Sequence, residues 1–353
     1  MAVSQLPRDD QYQLLNRIWR GMPRSDFDTY QGLYDKYFLY LDEQASSIQR
    51  RSSLYSVHSI DELISIIFLF RGKTQTKVEV LADTSELSQR SADMAASLWL
   101  TVHIQHYSGD QSTLHQWPSD ESLPSVVKAW FNTTATPSSN NRQIPESFSI
   151  PNLIRYYGFK ITWTSDLLRH LAIDWKYKQI TVFEHAICLR NHLEYSDGCP
   201  LPKKIIEEAI DTIKLLFPDS KETKVFLSQR DRKFLKIPFG RERPLSLNDY
   251  AYWQQSISLL LDHWEQGPRG WSQIRLRPDR SNFLEYSTFW AATVVLLLTI
   301  FSIVFGVASL ALAKQALDVS IRSLEVSVKS YDLSLAVACA EANSSDVLPS
   351  FCK

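Results

Sequence analysis

Apolar and polar positions divide the chain into two unequal parts. From Tyr286 to Ala313 there are 28 consecutive residues without a charge. A helix of about 20 such residues crosses a hydrocarbon core. In lipid, a helix is the only single-segment way to satisfy every backbone N–H and C=O. Tyr286, Phe289 and Trp290 open the stretch, where amphipathic rings favour the headgroup zone. The pattern predicts one transmembrane helix over 286–313.

Ahead of it the apolar positions recur at helical spacing, with short alternating runs between. Residues 9–50 read as helical, with Tyr30, Leu33, Tyr34, Tyr37, Phe38 and Leu41 as an inward stripe whose hydroxyls lie at the rim. Ser59 caps a helix whose Asp61 and Glu62 suit its N-terminus and whose run Leu63–Phe70 is too short to span. Thr84 to Trp99 is helical. Trp99 to Ile104 reads as extended, turning back through Ser108-Gly109-Asp110 toward Leu114–Trp117, and a helix resumes over Leu123–Phe131. Asn132 to Asn141, rich in turn formers, marks an internal boundary. Beyond it, Gly158–Thr164 alternates like a strand and Gln179–Phe183 is its candidate partner. Ile206, Ile210, Ile213, Leu216 and Phe217 line a helix that Pro218 stops. Asn248 or Asp249 caps another, with Trp253, Ile257, Leu260, Leu261 and Trp264 inward and Gly267-Pro268 closing it.

After the span, Leu317, Ile321, Leu324, Val328, Tyr331 and Leu335 step by four and three through three copies of one heptad, the seam of a coiled coil. The same residues also alternate as a strand would, but no Gly or Pro lies between Gly306 and Pro349. That continuity favours a helix. The expected fold is mainly α with minor β: a helical soluble domain, one transmembrane helix and a short heptad-repeat tail. Its parts are an N-terminal helical region (1–131), a loop (132–145), a second α-rich block (146–267), a basic juxtamembrane linker (268–285), the span (286–313), the heptad helix (314–342) and a tail (343–353).

Hydrophobic residues make up 44% and aromatics 12%, ample for a folded core before the span. A net charge of −1 gives no electrostatic reason to expect nucleic acid as a partner. Four cysteines do not make a disulfide scaffold, and the state of the pairs Cys188/Cys199 and Cys339/Cys352 is left open. The N-terminus has no apolar run of the signal-peptide kind, so the residues before the span are expected in the cytosol and the C-terminus across the membrane. In that topology Asn343-Ser344-Ser345 is a usable glycosylation acceptor and Asn132-Thr133-Thr134 is not.

Candidate chemistry is sparse. Gly72-Lys73-Thr74 follows an apolar run, but a phosphate loop needs glycine where Ile67 stands. His185, Cys188, His192 and Cys199 supply a zinc-like donor set, and the first three share one helix face. Their order does not follow the usual paired spacing, and Cys188 reads as a small buried hydrophobe. Arg230, Arg232, Lys233, Lys236, Arg241 and Arg243, followed by Arg269, Arg275, Arg277 and Arg280, form a basic surface facing anionic lipid or simply a solvated flank. No residue is assigned a catalytic, cofactor or metal role.

Four stretches resemble a large group of uncharacterised single-span proteins of filamentous fungi. They are Ser56-Val-His-Ser-Ile-Asp-Glu-Leu63, Trp163-Thr-Ser-Asp166 followed by Val182-Phe-Glu-His-Ala186, Leu215-Leu-Phe-Pro-Asp219, and Tyr286-Ser-Thr-Phe-Trp290. The resemblance covers about residues 53–313. It implies a helical soluble domain with a little β structure before one C-terminal helix, and it carries over no catalytic residue. The heptad tail departs from that pattern. The expected function is a membrane-anchored interaction or scaffold protein, whose partners are the lipid bilayer, a second copy through the C-terminal helix, and a further protein. The other class is a membrane-tethered hydrolase or transferase drawing on scattered residues such as His58, Asp166, His185 and His192.

Overall fold

The computed structural model describes residues 2–81, 85–104, 115–131, 142–195, 198–232, 243–267 and 283–340. The chain is mainly helical with a small three-stranded sheet. It divides into two units, Met1–Asp279 and Arg280–Lys353.

The first unit begins with three helices within the region 9–50 that reads as helical: α1 (Arg8–Ile18), α2 (Arg24–Tyr30) and α3 (Asp35–Arg50). Gly21, at φ +82°, and Pro23 supply the break, since few other residues adopt the first conformation and proline lacks the N–H a helix interior needs. α4 (Ile60–Phe70) starts where Ser59 places it. The Ser59 hydroxyl accepts the Glu62 N–H at 3.3 Å, and the Glu62 carboxylate reaches back to the His58 N–H at 2.8 Å.

α5 (Lys77–Leu81) and α6 (Glu86–Leu100) follow, and α4 packs on α6. Sequence reading ends the second of these at Trp99, with an extended chain beyond. The helix continues through Leu100 because both residues are fully buried, and Thr101 stops it at φ +51°. Ile104 and His115 then form an isolated bridge; the turn expected at 108–110 lies outside the described residues.

α7 (Leu123–Trp130) and α8 (Ile150–Tyr157) precede the sheet. β1 (Lys160–Thr164) runs parallel to the central β3 (Gln179–Phe183), with Trp163 opposite Val182, and β2 (Ile173–Asp174) pairs antiparallel on its other edge. β3 is buried over four consecutive residues, as a central strand covered on both faces should be. α9 (Ala186–Glu194), α10 (Lys203–Leu216), α11 (Lys221–Ser228) and α12 (Gln254–Glu265) complete the unit. A single apolar core runs from Val3 to Trp264 and draws residues from both sides of the 132–145 segment.

α12 starts later than Asn248 or Asp249 would place it, and its N-terminus is satisfied from a distance. The carboxylate of Glu208, on α10, accepts the N–H groups of Ala251 (2.9 Å), Tyr252 (2.7 Å) and Trp253 (2.8 Å). Those donors have no partner inside a helix.

Among its described residues the second unit is one helix, α13 (Phe283–Ala340, 58 residues), in which the apolar stretch and the heptads are continuous. At about 1.5 Å per residue it is about 87 Å long. It is long and apolar enough to cross a membrane, and its most apolar window has none of its surface buried.

Candidate functional site

Several of the polar groups buried in the first unit lie on α9 and at the end of α6, among them Arg190, Asn191, His192, Ser97 and Thr101. A helix leaves its last four carbonyls without partners, and burying them uncompensated is costly. In α6 all four are met by side chains. Tyr40 donates to Ser97 O at 3.3 Å, Tyr37 to Leu98 O at 3.2 Å, His192 to Trp99 O at 2.8 Å and Thr101 Oγ1 to Leu100 O at 2.6 Å. Two of the donors come from α3, Tyr37 in the stripe and Tyr40 beside it, and one from α9, so this network joins three helices. The stripe is a core face, as its spacing suggests, but the hydroxyls of Tyr34 and Tyr37 sit inside rather than at a rim. Burial pushes the tyrosine hydroxyls of residues 34, 37 and 40 well above their ordinary range.

The imidazoles follow the same logic. His192 donates through Nε2, so its Nδ1 is the acceptor for the Trp19 indole N–H at 3.4 Å. His170 accepts the Phe183 N–H at Nδ1 (3.2 Å) and donates from Nε2 to Thr212 Oγ1 (2.7 Å), which passes its own proton to Ala209 O. In both rings a second proton would set N–H against N–H. Burial, the larger cause, holds His170 down at about 3 and His192 at about 4. His185 is boxed by the rings of Tyr37, Tyr40 and Phe183 at 5.5–5.7 Å. Its pKa is held at about 3 by burial, with Arg232 adding to the effect. Cys188 is a buried thiol raised well above its usual value, the reverse of what a nucleophile needs.

These four positions therefore do not converge. His192 has both ring nitrogens committed, Cys188 is closed in the core, and Cys199 is half-buried against it. Among the described residues no group of three or more His, Cys, Asp or Glu side chains is placed to hold a metal ion. His58 sits exposed before α4. Asp166 turns the chain after β1, its Oδ1 accepting the His103 and Leu168 N–H groups at 3.2 and 3.1 Å, and burial raises its carboxyl. No hydrogen bond or ion pair links any two of His58, Asp166, His185 and His192 among the described residues. Gly72-Lys73-Thr74 is a turn after α4, where the Gly72 N–H donates to Gly198 O at 3.3 Å.

The basic stretch is partly consumed inside the unit. Arg232 pairs with Glu184 at 2.7 Å beneath the Trp163 ring. Arg243 donates to Leu215 O (2.8 Å), Glu146 O (2.6 Å) and Phe148 O, clamping the end of α10 to the segment before α8. Lys233, Lys236, Arg241 and the cations of 269–280 lie outside the described residues. Sequence reading missed the clamp, the Glu208 cap and the buried pair of Lys77 and Asp93.

In the first unit the buried side chains of Tyr37, His192, Thr101 and Glu208 and the half-buried Arg243 hold backbone ends. Among the described residues, large exposed apolar side chains concentrate on α13. Comparison with family models, curated proteins and solved structures finds no match for the chain.

Proposed function

We propose that the protein is a membrane-anchored interaction or scaffold protein: α13 crosses a bilayer over 286–313 and continues as a helix that pairs with another helix on the far side. The observation that carries this is the continuity of α13 with every apolar position of its span uncovered. A hydrocarbon core takes about 30 Å, or about 20 residues, and so uses less than half of the helix. Exposed apolar patches of this size mark lipid or protein contact.

In this reading the first unit lies on the cytosolic side, where the basic residues ahead of the span would stay. Cys339 is disulfide-bonded, which suits an oxidising compartment at the end of α13. Past the span, Leu317, Ile321, Leu324, Val328 and Tyr331 are all exposed on α13. A strict seven-residue repeat favours a left-handed supercoil, and a second copy is the proposed occupant. Gly306, Ala308, Ser309, Ala311 and Ala313 let two helices approach closely just before the seam.

The test is cross-linking of the full chain in detergent. Replacing Leu324→Lys and Val328→Lys together should weaken self-association by about tenfold or more through lost burial, with the chain still recovered in membranes. An unchanged cross-linked species rules the seam out.

A further inference from the structure

The connection between β2 and β3 is a four-residue tip, Trp175-Lys176-Tyr177-Lys178, since Asp174 pairs with Gln179. Its aromatics are turned outward. Trp175 leans on Phe159 and His263, with ring centroids at 6.0 and 5.7 Å, yet remains 43% exposed, and Tyr177 is 59% exposed. The tip is held in shape. The Tyr177 N–H donates to Asp174 Oδ1 at 3.2 Å, Lys178 takes a left-handed φ of 49°, and its ammonium reaches Tyr157 O at 3.4 Å. Lys176 extends its ammonium to 5.3 Å from the Tyr177 ring. Lys160 is exposed at the start of β1, on the other edge of β3 from Asp174.

Tryptophan and tyrosine alternating with lysine is the chemistry of a bilayer interface, where rings seat at headgroup level and ammonium groups meet anionic phosphates and carboxylates. Two exposed rings offer water little, and a fixed turn loses little entropy on seating. The tip also lies against the exit of the folded unit: His263, under Trp175, is in the last turn of α12. Residues 268–282 join α12 to α13 and can bridge at most about 50 Å even fully extended. The chain itself keeps this tip within reach of whatever bilayer α13 crosses.

We infer that the 175–178 tip is a second, peripheral membrane contact, seating Trp175 and Tyr177 in the interface of an anionic leaflet with Lys176 and Lys178 on its headgroups. The inference rests on the anchoring proposed above.

The test uses the full chain in lipid nanodiscs of phosphatidylcholine with about 30% phosphatidylserine, compared with the same chain in neutral detergent. Amine acetylation is followed residue by residue by mass spectrometry. Acetylation of Lys176 should slow about fivefold in the discs, while Lys203, 72% exposed on α10, reacts equally in both. A Trp175→Ser/Tyr177→Ser variant should return Lys176 to its detergent rate. Its fold is checked by Lys77, whose buried ammonium should stay slow throughout. Lys176 reacting equally fast in discs and detergent overturns the inference, as does protection that survives the double change. A chain that elutes apart from the discs instead refutes the anchoring, and this contact with it.

Discussion

Lowering the pH from 7.5 to 5.0 is expected to destabilise the first unit by up to about 6 kcal/mol, from three buried imidazoles. His170 and His185 are held at about 3 and His192 at about 4, all by burial first. An unfolded histidine titrates near 6.5. The folded values are lower, so the unfolded chain takes up protons first. The stabilisation is complete above pH 6.5 and is lost as the pH falls from there toward the folded values. Each ring costs about 1.4 kcal/mol per pH unit, hence about 2 kcal/mol at pH 5. Asp166, Glu184 and Glu208 act with the opposite sign, because burial raises their carboxyls and the folded state accepts those protons more readily. They make 6 kcal/mol a ceiling. Thermal unfolding followed by tryptophan fluorescence checks this, with His192→Gln as the discriminating variant. Glutamine can still donate to Trp99 O but has no proton to gain, so the pH slope should flatten by about one third. A pH slope left unchanged by His192→Gln would contradict the burial of this ring.

The second large effect is expected at Lys77. Its ammonium, 1% exposed on α5, meets the Asp93 carboxylate of α6, donates to Trp117 O at 3.3 Å and lies 4.9 Å from the Trp117 ring. Burial lowers the lysine, and Asp93 opposes that. Replacing Lys77→Met leaves a buried carboxylate without its cation, which should cost about 3–5 kcal/mol. The double change Lys77→Met/Asp93→Leu should recover most of that, since an apolar pair of similar volume avoids the desolvation both charges suffer. Urea unfolding of the single and double variants measures the difference. A single variant within about 1 kcal/mol of the natural chain would mean that water screens the pair.

What was legible in the sequence follows from how far each residue's partner lies along the chain. The cap of α4 is read from Ser59 and Glu62, three residues apart, and α13 from its own periodicity. Strands β1 and β3 show as alternation at Gly158–Thr164 and as the run Gln179–Phe183, but not that they pair in parallel. The Glu208 cap reaches 43 residues to Ala251, the Arg243 clamp 95 residues to Phe148, and Trp19 meets His192 across 173. Nothing local marks Glu208 as different from Glu207 beside it, which is half exposed and pairs with Lys203. His185, Cys188 and His192 recur at helical spacing whether they bind a metal or serve the fold, His192 by capping α6 and the other two by filling the core. The acceptors on α6 that distinguish the two readings become visible only in the fold.

The most direct measurement is extraction of the membrane fraction with alkaline carbonate, which strips peripheral proteins and leaves spanning helices in place. The full chain should stay in the pellet, and a chain carrying Leu297→Arg and Phe301→Arg should be released, because each arginine at the centre of a span costs about 2.5–3.5 kcal/mol on insertion. Full release of the unaltered chain would contradict the anchoring of this protein by α13.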